Sequence, residues 1–176
     1  MEKQLKRQEI YQGKVIHVVK DEVVLDDGTN AYREVVLHNG GVCIGLKDND
    51  GYYYMVRQYR YALGKEMLEF PAGKIEKDEL PDDAIVREVQ EETGYTAKNI
   101  KKLGSMIPTC GYCSEVIYLY HGQVDNYVGQ HFDEDERLNL EKYTFAKIKE
   151  MIKTGVINDS KTIALVYRIE LEGLDA

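Results

Sequence analysis

Hydrophobic and polar positions alternate with a period near two through the first third of the chain. Residues 14–20 and 22–26 are rich in β-formers, and Asp26-Asp27-Gly28 breaks them as a turn. Residues 31–38 and 41–47 read as two further strands. Asp48-Asn49-Asp50-Gly51 has hairpin composition and leads into a strand over 52–57. Residues 59–80 read as loop. The period then changes to that of a helix beginning at Pro81. Proline suits the first turn, Asp82 and Asp83 suit the positive end, and Gly94 suits the residue just past the end. Residues 116–121 read as a strand. Phe145, Ile148 and Ile152 recur at helical spacing over 144–153, and Gly155 ends that run. Ser160 is placed to cap a last helix reaching about residue 170. Strands first, then strands mixed with helices, predict an α+β sandwich rather than a parallel α/β sheet.

Composition narrows the classes. The 176 residues suffice for one well-filled core, and 43% hydrophobic with 31% charged residues argues against disorder. A net charge of −8 argues against a broad nucleic-acid-binding face, so no nucleic-acid partner is expected. The opening MEKQLKRQE carries charge without an apolar stretch, so it does not read as a secretory signal. No run is apolar and long enough to span a membrane, and no membrane partner is expected. Cys43, Cys110 and Cys113 form no disulfide framework, and a reducing cytoplasm is the expected setting. An acidic chain that handled an anion would need a divalent metal to screen the repulsion.

The helix from Pro81 carries the candidate chemistry. At roughly 100° per residue, Glu88, Glu91 and Glu92 share one face, with Arg87 on its flank and Ala84 in its middle. Ile85, Val86 and Val89 are expected to face the core. An acidic helix face is ordinarily just solvated. Three carboxylates at i, i+3 and i+4 repel and gain the helix nothing, whereas a hard divalent cation among them makes sense of the spacing.

The segment GKIEKDELPDDAIVREVQEETGY, residues 73–95, decides between the two readings. Gly73, Glu79, Arg87, Glu88, Val89, Glu91, Glu92, Gly94 and Tyr95 resemble the Nudix box, with only the aromatic Tyr95 unusual. Seven fixed residue types match a given start by chance roughly once in 10⁸. The flanking VRQYRYA (56–62), LEFPAGKIE (68–76), GSMIPTCGYCSE (104–115), DEDE (133–136) and INDSKTIA (157–164) are similar to the ADP-ribose pyrophosphatase branch of that family.

The resemblance implies a Nudix α/β/α sandwich over residues 39–176. It also implies an added N-terminal antiparallel sheet over residues 1–38, serving dimerisation and so a homodimer. It implies magnesium, with manganese possible, held centrally by Glu88 and Glu92, with Glu91 a further ligand or a catalytic helper and the Ala72 carbonyl completing the site. Arg87 would hold the carboxylates, Glu79 would organise the loop, and Gly73 and Gly94 would permit backbone turns. Arg57, Arg60, Glu69 and Gly73 would line the substrate site, and Arg33 matches a position that reaches across a dimer. Glu115 would be the general base, with Glu134 and Glu136 as rivals. The substrate implied is a nucleoside diphosphate derivative, ADP-ribose foremost, cleaved to AMP and ribose 5-phosphate. Where the branch usually has Ser-Pro-Gly, this chain has Thr109-Cys110-Gly111, so GDP-mannose or another sugar nucleotide stays as the alternative. A non-catalytic nucleotide-binding module is the alternative outside enzymes. Cys110 and Cys113 also form a Cys-x-x-Cys, which reads as ordinary loop cysteines, with half a zinc site or a redox pair as the sharper reading.

Overall fold

Turns rich in glycine and aspartate divide the first forty residues into three antiparallel strands, β1 (Lys3–Gln12), β2 (His17–Val24) and β3 (Asn30–Leu37), in the order β1-β2-β3. The β2–β3 turn closes with Leu25 N–H donating to the Thr29 carbonyl at 2.9 Å, and Gly28 takes the positive φ of 85° that this turn demands. On β2, Val19, Asp21 and Val23 are buried at alternate positions. Asp21 is buried as a charge because the Arg7 guanidinium grips both of its oxygens, at 2.8 and 2.7 Å. All ten residues of the edge strand β1 are exposed. This computed structural model describes residues 1–131 and 137–175. The chain divides into two compact units, and the first also takes in Ile107–Val116. That segment joins β3 through Val36 N–H to the Tyr112 carbonyl (2.7 Å) and Ser114 N–H to the Val36 carbonyl (2.9 Å).

The larger unit, Gly41–Met106 with Ile117 onward, is layered by the alternation of β4 (Gly41–Lys47). The sheet continues through β5 (Tyr52–Arg60), β6 (Lys65–Glu69) and β7 (Ala72–Lys74). After the helix α1 (Pro81–Thr93) come β8 (Tyr95–Met106), β9 (Ile117–Tyr127) and β10 (Leu138–Thr144). The order is β10-β5-β4-β9-β8, with β6 on β5 and β7 on β4. The β4–β9 pair is parallel and the others are antiparallel. Val42, Ile44 and Leu46 pack with Ala84, Ile85 and Val89 of α1. Cys43 packs on the other side with α2 (Phe145–Lys153) and α3 (Ser160–Leu171), through Phe145, Ile148, Leu165 and Ile169. A strand buried on both faces needs a helical layer on each, and this unit has both. Gly45 permits the close approach of α3, because a Cβ there would lie 2.5 Å from Ile169 Cδ1. The α+β architecture expected from the chain is the one observed.

Several local expectations need correction. The β-rich stretch over 14–20 and 22–26 yields one strand, β2, confined to His17–Val24. The stretch 59–80 is not simply loop: it finishes β5 and carries β6 and β7. Strands β1, β8 and β10 were not foreseen, because β1 buries nothing and β8 carries Lys98, Lys101 and Lys102. Val86 is 53% exposed rather than in the core, and Ala84 is fully buried rather than open on the acidic face. The buried arc of α1 centres near Ile85 and Val89, and one step of about 100° carries Val86 out of it. Asp159, not Ser160, caps α3, accepting from Thr162 N–H at 2.9 Å.

His121 of β9 is 7% exposed, with Nε2 3.3 Å from the Tyr53 hydroxyl. Burial, helped by Lys47 and Lys101, lowers its pKa from about 6.5 to about 4. The unfolded chain therefore binds the extra proton first as pH falls. The fold keeps the full contribution above pH 6.5 and loses it progressively toward pH 4, on the order of 2 kcal/mol by pH 5. Urea unfolding at pH 7 and pH 5 should show a smaller pH-dependent loss in His121→Gln than in the parent chain. Equal losses would remove His121 from the account.

Candidate active site

The acidic helix α1 starts at Pro81 after Leu80, which offers no side-chain cap, and ends at Gly94 with φ 75°. Between them Arg87 gathers the acids. Its Nε and Nη2 donate to the two oxygens of Glu79 at 2.9 and 3.0 Å. Its Nη1 donates to Glu88 Oε1 at 2.9 Å and Glu91 Oε2 at 2.7 Å, and Nη2 also reaches the Lys74 carbonyl at 3.0 Å. The Glu79 hydrogen bonds, with Glu88 and Glu91 adding to them against the cost of burial, raise the Arg87 pKa further above its ordinary value. Hydrogen bonding to Arg87 is also the main cause that lowers Glu79. Glu79 accepts in addition from Glu76 N–H at 2.8 Å, so it does organise the loop before the helix.

The strand β7 supplies the floor. Ala72 N–H donates to Glu92 Oε2 at 2.9 Å, and Glu92 is only 2% exposed. Gly73 lies directly against Glu88: a Cβ built on it would stand 1.8 Å from the carboxyl carbon and about 2 Å from both oxygens. Any other residue there must displace that carboxylate. The structure thus brings together Ala72, Gly73, Glu79, Arg87, Glu88 and Glu91, with Glu92 at the buried edge. Among the described residues, no three His, Cys, Asp or Glu side chains stand grouped as a ready-made metal site. Arg87 instead links Glu88 and Glu91. The donors are nonetheless all carboxylate or peptide oxygens on a glycine cradle, a set that suits a hard divalent cation.

A second cluster lies on β5, β6 and the start of α3. Arg60 Nε and Nη2 donate to the two oxygens of Glu69 at 2.8 and 2.6 Å. Glu69 is 2% exposed, and Lys161 Nζ also donates to it. Burial pushes Glu69 up, but Arg60 and Lys161 outweigh that and leave it below the usual carboxylate range. Lys161 further pairs with Asp159 at 3.0 Å. Lys161 and Asp159 were not singled out as site residues; their only signal was the segment INDSKTIA. Arg57 stands in a different setting, forked onto Glu141 at 2.6 and 3.2 Å.

Arg33 and Glu115 belong to the smaller unit. Arg33 donates to both oxygens of Glu2, at 3.0 and 2.5 Å. Glu115 lies 3.6 Å from His38 Nδ1, but that nitrogen already accepts from Gly40 N–H at 2.9 Å, so the contact is not a hydrogen bond. Glu134 and Glu136 lie outside the described residues. Cys110 is exposed and Cys113 half-buried, both as free thiols, and Cys43 is buried in the larger unit. Among the described residues no helix is long and apolar enough to cross a membrane.

Comparison with known proteins accords with this arrangement. A family model described as the NUDIX domain matches residues 37–166. The chain is 37% identical to the methanol dehydrogenase activator of Bacillus methanolicus over 175 residues, 97% of this chain and 94% of that one. It is 31% identical to the ADP-ribose pyrophosphatase of Bacillus subtilis over 173 residues, again 97% and 94%. It is also 31% identical to a GDP-mannose pyrophosphatase of Yersinia enterocolitica over 174 residues, 90% and 89%. The crystal structure of an ADP compounds hydrolase shares the fold, with a TM-score of 0.83 at 18% identity over 98% of this chain and 95% of that one. Hydrolases of this family generally use a divalent metal. The chain belongs to the Nudix family, as a pyrophosphohydrolase of the ADP-ribose pyrophosphatase-like kind.

Proposed function

We propose that the chain hydrolyses ADP-ribose to AMP and ribose 5-phosphate with magnesium, manganese being able to substitute. The observation that carries this reading is the gathering of Glu88 and Glu91 by Arg87 above Gly73, beside a buried Glu92. The identity with the Bacillus subtilis ADP-ribose pyrophosphatase along nearly the whole chain supports the choice of substrate. Glu88, Glu91, Glu92 and the Ala72 carbonyl would hold the cation. When bound, it would neutralise phosphate charge and make the attacking water more acidic. Arg87 keeps Glu88 and Glu91 in place, and Glu79 keeps Arg87 in place. Arg60 offers a guanidinium edge to the phosphates, with Glu69 orienting it, and Arg57 is a further substrate contact. Water adds to one phosphorus, the bond from that phosphorus to the bridging oxygen breaks, and each product leaves with its own phosphate. By the sequence resemblance, Glu115 takes the proton from the water. The N-terminal sheet, with Leu5, Ile10 and Tyr11 exposed on an open edge strand, is proposed to pair with a second copy, to which Arg33 would reach.

A second reading comes from the 37% identical methanol dehydrogenase activator: the chain would raise the activity of an alcohol dehydrogenase. Adding the chain and magnesium to a purified methanol dehydrogenase, with and without Glu92→Gln, tests whether any such effect exists and whether it needs the box.

The central test is turnover of ADP-ribose, GDP-mannose, ADP-glucose, NADH and diadenosine polyphosphates with magnesium, read as phosphate freed from the phosphomonoester products by added alkaline phosphatase, which leaves the intact substrates alone. ADP-ribose should give the highest kcat/KM. Glu92→Gln should lower kcat at least about 100-fold, and Gly73→Ala at least about tenfold, because the new Cβ must push Glu88 aside. Preference for GDP-mannose would replace the substrate, and nucleotide binding without turnover of any compound would sink the enzyme. For the base, Glu115→Gln should reduce kcat about 100-fold with KM little changed; an unaltered kcat would pass the role to another carboxylate. Light scattering at micromolar concentration should give twice the chain mass, and a monomer would remove the pairing role of the first sheet.

A further inference from the structure

The cluster around Glu69 holds one more cation than Glu69 needs. Arg60 already satisfies both Glu69 oxygens with a two-pronged grip. Lys161 Nζ nevertheless donates to the same carboxylate, from a side chain only 13% exposed. Burying a second ammonium is costly unless its charge is balanced. Asp159 supplies the balance: Oδ1 pairs with Lys161 at 3.0 Å, while Oδ2 accepts from Thr162 N–H at 2.9 Å and Thr162 Oγ1–H at 2.7 Å. Thr162 Oγ1 in turn accepts from Phe70 N–H at 2.9 Å, next to Glu69. Two cations and two carboxylates therefore form a hydrogen-bonded set balanced in itself and pinned to the start of α3, with Glu92 as a further carboxylate acting on Arg60 from outside it.

Only one member of this set presents itself substantially to solvent. The Arg60 side chain is 38% exposed, against 2% for Glu69, 13% for Lys161 and 14% for Asp159. Its grip on Glu69 uses two of its five N–H bonds, leaving donors on the outward edge. An anion arriving at that edge meets Arg60 with the charge of everything behind it. Without Lys161, two carboxylates would stand behind one guanidinium, and the set would repel a diphosphate.

We propose that Lys161 is a positioning residue for the anionic substrate: by balancing Glu69 and Asp159 it leaves the exposed edge of Arg60 free to attract a phosphate group. This rests on the reading of Arg60 as a substrate contact. Lys161 acts through Arg60 and touches no phosphate itself.

Charge and structure separate in a set of variants assayed with both ADP-ribose and GDP-mannose. KM, kcat, melting temperature and calorimetric Kd for the nucleotide are measured together. Lys161→Met should raise KM and Kd about tenfold with kcat within about threefold. Lys161→Arg, which keeps the charge, should stay within about threefold of the parent in KM. Asp159→Asn keeps a good helix cap but leaves the set positive, and should lower KM at least about twofold. The double variant Lys161→Met/Asp159→Asn is neutral again and should recover most of the lost affinity. A purely structural Lys161 would make the double variant no better than Lys161→Met, and would leave Asp159→Asn neutral or weaker in binding. Either result overturns the proposal. If Lys161→Met fails to fold, the opposite-signed effect of Asp159→Asn still decides it. An inactive parent chain would sink the hydrolase reading, whereas an active parent with unchanged KM across the set would sink only the role of Lys161.

Discussion

The grip of Arg87 on three glutamates is the constraint around which the larger unit is organised. Carboxylates one turn apart on a helix repel, and nothing intrinsic to the helix rewards their grouping. A single guanidinium can hold them because it is planar and offers several fixed donors. Glu79 takes the Nε and Nη2 edge, which fixes the plane, and Nη1 is then aimed at Glu88 and Glu91. The order of dependence runs from loop to helix. Glu76 N–H holds Glu79, Glu79 holds Arg87, and Arg87 holds the acids. Even so, several carboxylates face one guanidinium. The group remains strongly negative, which is the electrostatic condition for recruiting a divalent cation rather than a second basic side chain.

The same helix must also close the core, and its face is divided with little margin. Ala84, Ile85 and Val89 pack against β4 and β9 residues, and Glu92, 2% exposed, lies within that buried arc. Burying its carboxylate would be costly without a donor, and Ala72 N–H meets it. Ala84 is fully buried in the same layer. The core packing of α1 and the placement of Glu92 are therefore one arrangement, and a shift of the helix that improved one would damage the other.

Local signals were legible wherever one stretch of chain contained both the feature and its cause. The bounds of β4 match their expected residues, and α1 begins at Pro81 and ends before Gly94 as punctuation predicts. The box residues from Gly73 to Glu92 could be picked out by their resemblance to the Nudix pattern, which lies within one short stretch. Features with distant causes were not legible. Strands β6 and β7 exist because β5 and β4 pair with them, and their own residues show no alternation. Glu69 meets Lys161 ninety-two positions away, and Arg57 meets Glu141 eighty-four away. Nothing in a one-dimensional period encodes such a partner. Val86 was misplaced for a subtler reason: an apolar residue was assigned to the core by type, when its angle around the helix put it outside.

The two charged clusters share a short piece of chain. Glu69 ends β6 and anchors Arg60, while Ala72 and Gly73, three and four residues later, support Glu92 and Glu88. The residues between are tied on both sides: Phe70 N–H to the Thr162 hydroxyl of α3, and the Pro71 carbonyl to Ile44 N–H of β4. A displacement of residues 69–73 would move a cation-presenting cluster and an anion-presenting cluster together. This coupling suits a substrate whose phosphates must meet both a guanidinium and a metal held by carboxylates. On the proposed function it would also account for an acidic chain binding an anion: net charge sets the distant field, while the sign at each edge would be decided by which buried partners stand behind it.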